Sequence, residues 1–207
     1  MIINNINLNP GHIARHTSRY AGAQGKEAAI IDIAQDILLR DLHEKGVLDN
    51  LAFKGGTALR KFYAGRAGRF SLDLDFSIID LNYNKDEVLL NFINAIEGLR
   101  IGPFRYTLTE RRGKWSINYE YDKINNITLK TKLDIGSPPW LYPIRRDWIP
   151  MPIHKQYGDP PLPKLQTVCL EENIAEKIAR LNRLTPARDM YDLVWAATTA
   201  DVWAYLD

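Results

Sequence analysis

From Gly25 to Gly46 the apolar residues Ile30, Ile33, Ala34, Ile37, Leu38 and Leu42 recur three or four apart, which is the period of an amphipathic helix, and Gly46 suits its end. The pattern predicts a helix packed beneath a sheet. Leu51 to Phe53 reads as a short strand, Gly55-Gly56 as a turn, and Thr57 to Tyr63 as the first turns of a helix with Thr57 near its N-cap. The period then shortens to two. In an extended segment Leu72, Leu74, Phe76 and Ile78 point one way, into a core, while Ser71, Asp73, Asp75 and Ser77 share the other side. Lys85 to Leu99 returns to the helical period, with Val88, Leu89, Phe92, Ile93 and Ile96 on one stripe.

Two further strands follow, Trp115 to Tyr121 and Ile127 to Ile135, joined by a turn over Asp122 to Asn126. In the second, Leu129, Thr131, Leu133 and Ile135 face inward, so Lys130, Lys132 and Asp134 face out together. Pro138 to Pro163 holds eight of the eleven prolines, with Trp140, Tyr142, Arg145, Arg146, Trp148 and Tyr157. It reads as a stiff connecting loop that overhangs the site and divides residues 1–137 from a helical lobe at 164–207. In that lobe Glu171 to Leu184 is predicted helical, with Ile174, Ile178 and Leu181 as its buried stripe and Lys177 at the edge, and a second helix starts at Thr185-Pro186.

Alternating strands and helices make this an α/β (α+β) chain, and its 207 residues, 45% of them hydrophobic, are ample for a buried core. No apolar run is long enough to cross a membrane and Met1 to Pro10 has no secretory pattern, so a soluble, cytoplasmic protein without a membrane partner is expected. The one cysteine, Cys169, has no partner for a disulfide, and the histidines lack zinc-ligand spacing beyond His12 and His16 at i and i+4. Net charge is only +2, yet between Arg105 and Lys155 ten Lys/Arg stand against five acids. That excess suits contact with phosphates, and serves equally as a solvated sheet face.

The candidate chemistry follows from order. A glycine turn precedes two carboxylates at strand spacing, which would converge on one hard cation such as Mg²⁺, an ion that shares its shell between carboxylates and substrate phosphates. Asp73 and Asp75 are the metal candidates. Asp134 would be a third carboxylate, holding a second metal or taking the proton of an incoming hydroxyl. Gly55 and Gly56 permit close backbone approach to the β and γ phosphates at a helix start, with Lys54, Thr57 and Lys61 as secondary contacts.

Phe53-Lys54-Gly55-Gly56-Thr57-Ala58-Leu59, then Arg69-Phe70-Ser71-Leu72-Asp73-Leu74-Asp75, resembles the signature of the AbiEii/AbiGii toxin family of nucleotidyltransferases, within the DNA polymerase β-like superfamily. Glu176-Lys177-Ile178-Ala179-Arg180-Leu181, with Arg183, and Arg188-Asp189-Met190-Tyr191-Asp192-Leu193 resemble its C-terminal motif. The likeness spans roughly Gly25 to Val194. It implies a polymerase-β-like mixed sheet with flanking helices and a C-terminal helical lobe, acting as the toxin of a toxin–antitoxin or abortive-infection pair with a cognate antitoxin. It also implies Mg²⁺ (or Mn²⁺), a nucleoside triphosphate substrate and transfer to the 3′ end of tRNA. By similarity Asp73 and Asp75 hold metal, Lys177 meets the triphosphate, Asp192 is a required acid and Asp189 a further nucleotide-binding candidate. Arg69 and Ser71 belong to the same nucleotide-binding motif. Many relatives have Gly-Ser where this chain has Gly55-Gly56, so a phosphate-binding hydroxyl must come from Thr57 or Ser71, or be absent. The alternatives are transfer to a protein hydroxyl or small molecule, and a non-catalytic module that binds RNA or a partner.

Overall fold

The computed structural model describes residues 6–17, 25–80, 82–122, 128–182 and 187–199. The expected Ile127 strand start, the turn beyond Asp122, Arg183 and the Thr185-Pro186 helix start lie outside these residues. Helices α1 (Pro10–His16) and α2 (Gly25–Glu44) are followed by strand β1 (Leu51–Lys54), a short helix α3 (Gly55–Leu59) and one π-helical turn, Arg60–Ala64. Strand β2 (Asp73–Ile78) and helix α4 (Lys85–Ile96) come next, then β3 (Arg100–Ile101), β4 (Phe104–Arg111), β5 (Lys114–Tyr121) and β6 (Thr128–Gly136). The described chain closes with β7 (Ile144–Arg146), β8 (Leu165–Thr167), α5 (Leu170–Ala179) and α6 (Ala187–Thr198). The strands form one sheet in the order β3-β4-β5-β6-β2-β1-β8-β7. The β2–β6 and β1–β8 pairs are parallel and the others antiparallel, so the sheet is mixed.

Strand alternation sorts the two faces. Leu74, Phe76, Leu133, Ile135, Ile117, Tyr119, Phe104 and Tyr106 are buried on one side. Helix α2 lies there, with the Tyr106 hydroxyl donating to the Ala34 carbonyl at 3.1 Å and the Gln35 amide donating to Thr131 at 3.2 Å. Helix α4 joins the same layer through Phe92, whose ring is 5.6 Å from that of Phe76. Along β6 the opposite face alternates into solvent, leaving Lys130, Lys132 and Asp134 exposed. No described helix is long and apolar enough to cross a membrane.

Four expectations are corrected. Helix α2 is buried on its polar side as well: Asp32, Asp36 and Arg40 are enclosed, because Arg60 and Lys61 and the 157–160 backbone supply partners that offset their desolvation. Strands β3 and β4 were not predicted. Phe104 and Tyr106 alternate with Arg105 and Thr107 there, and the Arg112-Gly113 turn, with φ of 54° and 73°, closes a two-residue hairpin into β5. The proline-rich segment is not wholly loop, since β7 within it pairs with β8. Helix α5 ends at Ala179 and buries Glu172, Asn173 and Lys177, while Ile178 is 56% exposed. Of the expected stripe Ile174 packs against the core, while Ile178 and Leu181 stay exposed and the polar Glu172, Asn173 and Lys177 take the buried positions.

Candidate active site

Parallel pairing of β2 with β6 sets Asp75 level with Asp134 and Asp73 level with Lys132. Burial, then the charges of Asp73 and Asp134, push the Asp75 carboxyl up to about 6, opposed in part by Lys132 and Arg180. A carboxylate held this far up beside two others is a poor anion by itself and a good ligand for a cation. Asp134 is exposed and accepts from the Lys132 ammonium at 3.0 Å. Among the described residues no three His, Cys, Asp or Glu side chains stand together as a metal-holding group. The donor set nevertheless fits a hard divalent ion, because Asp73 and Asp75 offer oxygen ligands and such ions complete their shell with substrate phosphates and water.

The glycine turn is built around these carboxylates. Gly55 has φ of 78°, and a Cβ placed on it would collide with the Asp75 carboxylate. That backbone lets the chain leave β1 and enter α3 at once, so the helix starts at Gly55 and Thr57 lies inside it. Thr57 is therefore no N-cap; it is fully buried and its hydroxyl donates to the Asp73 carbonyl, fixing the start of β2. A Cβ on Gly56 would stand 2.9 Å from both Arg69 Nη2 and Ser71 Oγ, so the missing side chain admits those two groups. Of the two hydroxyls considered from sequence, Ser71 is the one beside the glycine pair.

The C-terminal motif closes the other wall. Asp192, 4% exposed, accepts from Lys177 Nζ at 2.7 Å and from Arg69 Nη2 at 2.8 Å. Asp189 lies 3.4 Å from the same Lys177 nitrogen. Asp192 thus holds two cations from different elements in one place, and acts through them. Lys61 is not brought to the site. It is fully buried with Asp32, at 3.0 Å, and Asp36, because five residues beyond Gly56 a helix has turned by about 140°. Burial works against ionisation of Asp32, yet Lys61 and Arg60 hold its carboxyl well below the ordinary range.

Lys54, a secondary candidate from sequence, is the cross-strand partner of Asp75 and donates to Glu176 on α5 at 2.7 Å. Asn173 was not singled out from sequence. Asn173 Nδ2 donates to the Gly55 carbonyl at 3.4 Å. Arg180, whose charge opposes the rise of Asp75 together with that of Lys132, also donates to Glu176 at 3.3 Å. Asn173, Lys177 and Arg180 recur at helical spacing, a polar stripe that was legible once the apolar stripe was not assumed to be the buried one.

Comparison with known proteins identifies a family. Residues 36–205 match the family model described as nucleotidyl transferase AbiEii toxin, type IV toxin–antitoxin system. MenT4, a nucleotidyltransferase toxin from Mycobacterium tuberculosis, is similar in structure with a TM-score of 0.78 and 37% identity, over 94% of this chain and 66% of that one. An antigenic nucleotidyltransferase-like protein from Paracoccidioides brasiliensis shares the fold, with a TM-score of 0.52 and 13% identity over 85% of each chain. No curated protein matches the sequence. The chain belongs to the AbiEii family of nucleotidyl transferase toxins of type IV toxin–antitoxin systems.

Proposed function

We propose that this chain transfers a nucleoside monophosphate from a nucleoside triphosphate to an RNA hydroxyl, at the 3′ acceptor end of tRNA, and so blocks translation. The observation that carries the reading is Asp75 lying against Gly55 and raised to about 6 with the charge of Asp73 near it, beside a wall where Asp192 orients Lys177 and Arg69. In the reaction the acceptor oxygen bonds to the α-phosphorus, the bond from that phosphorus to the bridging oxygen breaks, and pyrophosphate leaves. Bound between Asp73 and Asp75, a divalent ion such as Mg²⁺, or Mn²⁺ in its place, would neutralise the triphosphate. Arg69 and Lys177 meet the β and γ phosphates, with Ser71 and the glycine backbone beside them. Asp134, level with Asp75, accepts the proton of the attacking hydroxyl, and Lys132 steadies the carboxylate until it does.

The type IV family supports a cognate antitoxin as partner and a cytoplasmic site of action. Incubation with Mg²⁺, each labelled nucleoside triphosphate and total tRNA tests the reading. Label in RNA with wild type, and none with Asp73→Ala, is expected. Label in protein or in a low-mass product would select the protein or small-molecule acceptor instead; nucleotide binding without any product would point to a binding module.

A further inference from the structure

One exposed aromatic pair is unused by this mechanism. Between β6 and β7 the chain crosses the sheet, and in that crossing Trp140 is 77% exposed and Tyr142 94% exposed. The backbone beneath them is held firmly. Glu172 on α5, itself 4% exposed, accepts from the Trp140 amide at 2.9 Å through Oε1 and from the Leu141 amide at 3.0 Å through Oε2. Pro138, Pro139 and Pro143 stiffen the same segment. One turn along α5, Glu176 binds Lys54, the cross-strand partner of Asp75, so one helix fixes both the crossing and the edge of the carboxylate site. A buried carboxylate spent on two loop amides, with the two neighbouring rings left in solvent, is an arrangement for presenting rings rather than for packing them.

The place is equally specific. Strand β2 runs from the Gly56 and Ser71 end at Asp73 to Ile78, and at the Ile78 end a cavity of about 510 Å³ opens beside Asp134. Tyr83, Lys85, Gly136 and Pro138 line it, and Trp140 follows Pro138 by two residues. Phosphates at the glycine end leave this opposite end, next to the proton acceptor, for the attacking molecule. Lys85 in its lining offers a cation to a phosphate, and the rings supply faces on which any base can stack. We infer that Trp140 and Tyr142 form a stacking platform for the unpaired nucleotides of the RNA acceptor, with the cavity beside Asp134 receiving the terminal nucleoside. This rests on the RNA-acceptor reading above.

The test measures binding of a short fluorescein-labelled single-stranded RNA and, separately, of a nucleoside triphosphate with Mg²⁺, to wild type, Trp140→Ala/Tyr142→Ala and Trp140→Phe/Tyr142→Phe. Both side chains stand in solvent, so thermal melting of the variants should match wild type. RNA affinity should fall about tenfold or more in the alanine variant and recover in the phenylalanine one. The slope of affinity against salt should stay unchanged, since no phosphate contact is lost, and triphosphate affinity should also be unchanged. Equal RNA binding by the alanine variant, or equal affinity of wild type for a blunt RNA duplex, would overturn the platform while leaving the acceptor reading standing. Absence of RNA binding by wild type, with triphosphate still bound, would overturn the RNA-acceptor reading itself and the platform with it.

Discussion

Gly55→Ala separates two consequences of one side chain, because the site charges a Cβ twice: once for φ of 78° and once for the space held by the Asp75 carboxylate. The left-handed backbone alone costs about 1–2 kcal/mol in a non-glycine residue. For a chain of this size, each 1 kcal/mol corresponds to a fall of about 2–4 °C in melting temperature. Gly113 provides the control. It has φ of 73° with nothing within 4 Å of the position a Cβ would take, so Gly113→Ala isolates the backbone cost. Both variants should melt a few degrees below wild type, with Gly55→Ala the lower. Only Gly55→Ala should lose catalysis, by about 100-fold, the scale expected when a reacting group is displaced by about 1 Å. The assays are thermal unfolding and single-turnover nucleotide transfer. Transfer by Gly55→Ala within about threefold of Gly113→Ala would refute the idea that this glycine makes room for the metal-binding carboxylate.

Three other outcomes are expected. Asp75→Asn should abolish transfer yet stabilise the free protein above pH 6 by about 1–3 kcal/mol, read by denaturant unfolding of both proteins from pH 4 to 8. The sign follows from a folded pKa of about 6 against the ordinary 3.8: the folded wild type binds more protons than the unfolded chain across that window, so its stability relative to the variant falls as pH rises through it. Asp192→Asn should weaken triphosphate binding and cost about 3–5 kcal/mol of stability, since Lys177 and Arg69 lose a shared buried partner; isothermal calorimetry with unchanged triphosphate affinity would contradict the positioning role. Lys61→Met should destabilise by a similar amount through Asp32 and Asp36 while a folded fraction binds triphosphate normally, and weakened binding in a fully stable variant would return Lys61 to the site.

The sequence disclosed most where local period and chemistry agree. The alternation through Asp73 and Asp75 put Leu74 and Phe76 in the core and both carboxylates on the other face, as the strand does. It misled where burial follows polar partners rather than apolar character. Helix α5 was read from Ile174, Ile178 and Leu181, yet it packs over charged groups and buries Glu172, Asn173 and Lys177 to bond them. Lys61 follows the glycine turn closely in sequence, but one helical turn and a π-helical turn rotate it onto α2. Asp32, Asp36 and Arg40 look like a solvated stripe because their partners, Lys61, Arg60 and the 157–160 backbone, are distant in the chain. Register between β2 and β6, which sets Asp134 level with Asp75, requires parallel strands separated by α4 and the three strands β3, β4 and β5, and no local pattern encodes it.

The central claim is that Asp73 and Asp75 hold the ion of a metal–nucleotide complex whose triphosphate points to Gly56, Arg69 and Lys177. A crystal of the protein with Mn²⁺ and a non-hydrolysable nucleoside triphosphate analogue tests it directly through the anomalous signal of manganese. The account predicts a peak bridging Asp73 and Asp75, with the β and γ phosphates within hydrogen-bond distance of Ser71, Arg69 or Lys177. Manganese and triphosphate bound together elsewhere, with both carboxylates unliganded, would contradict it.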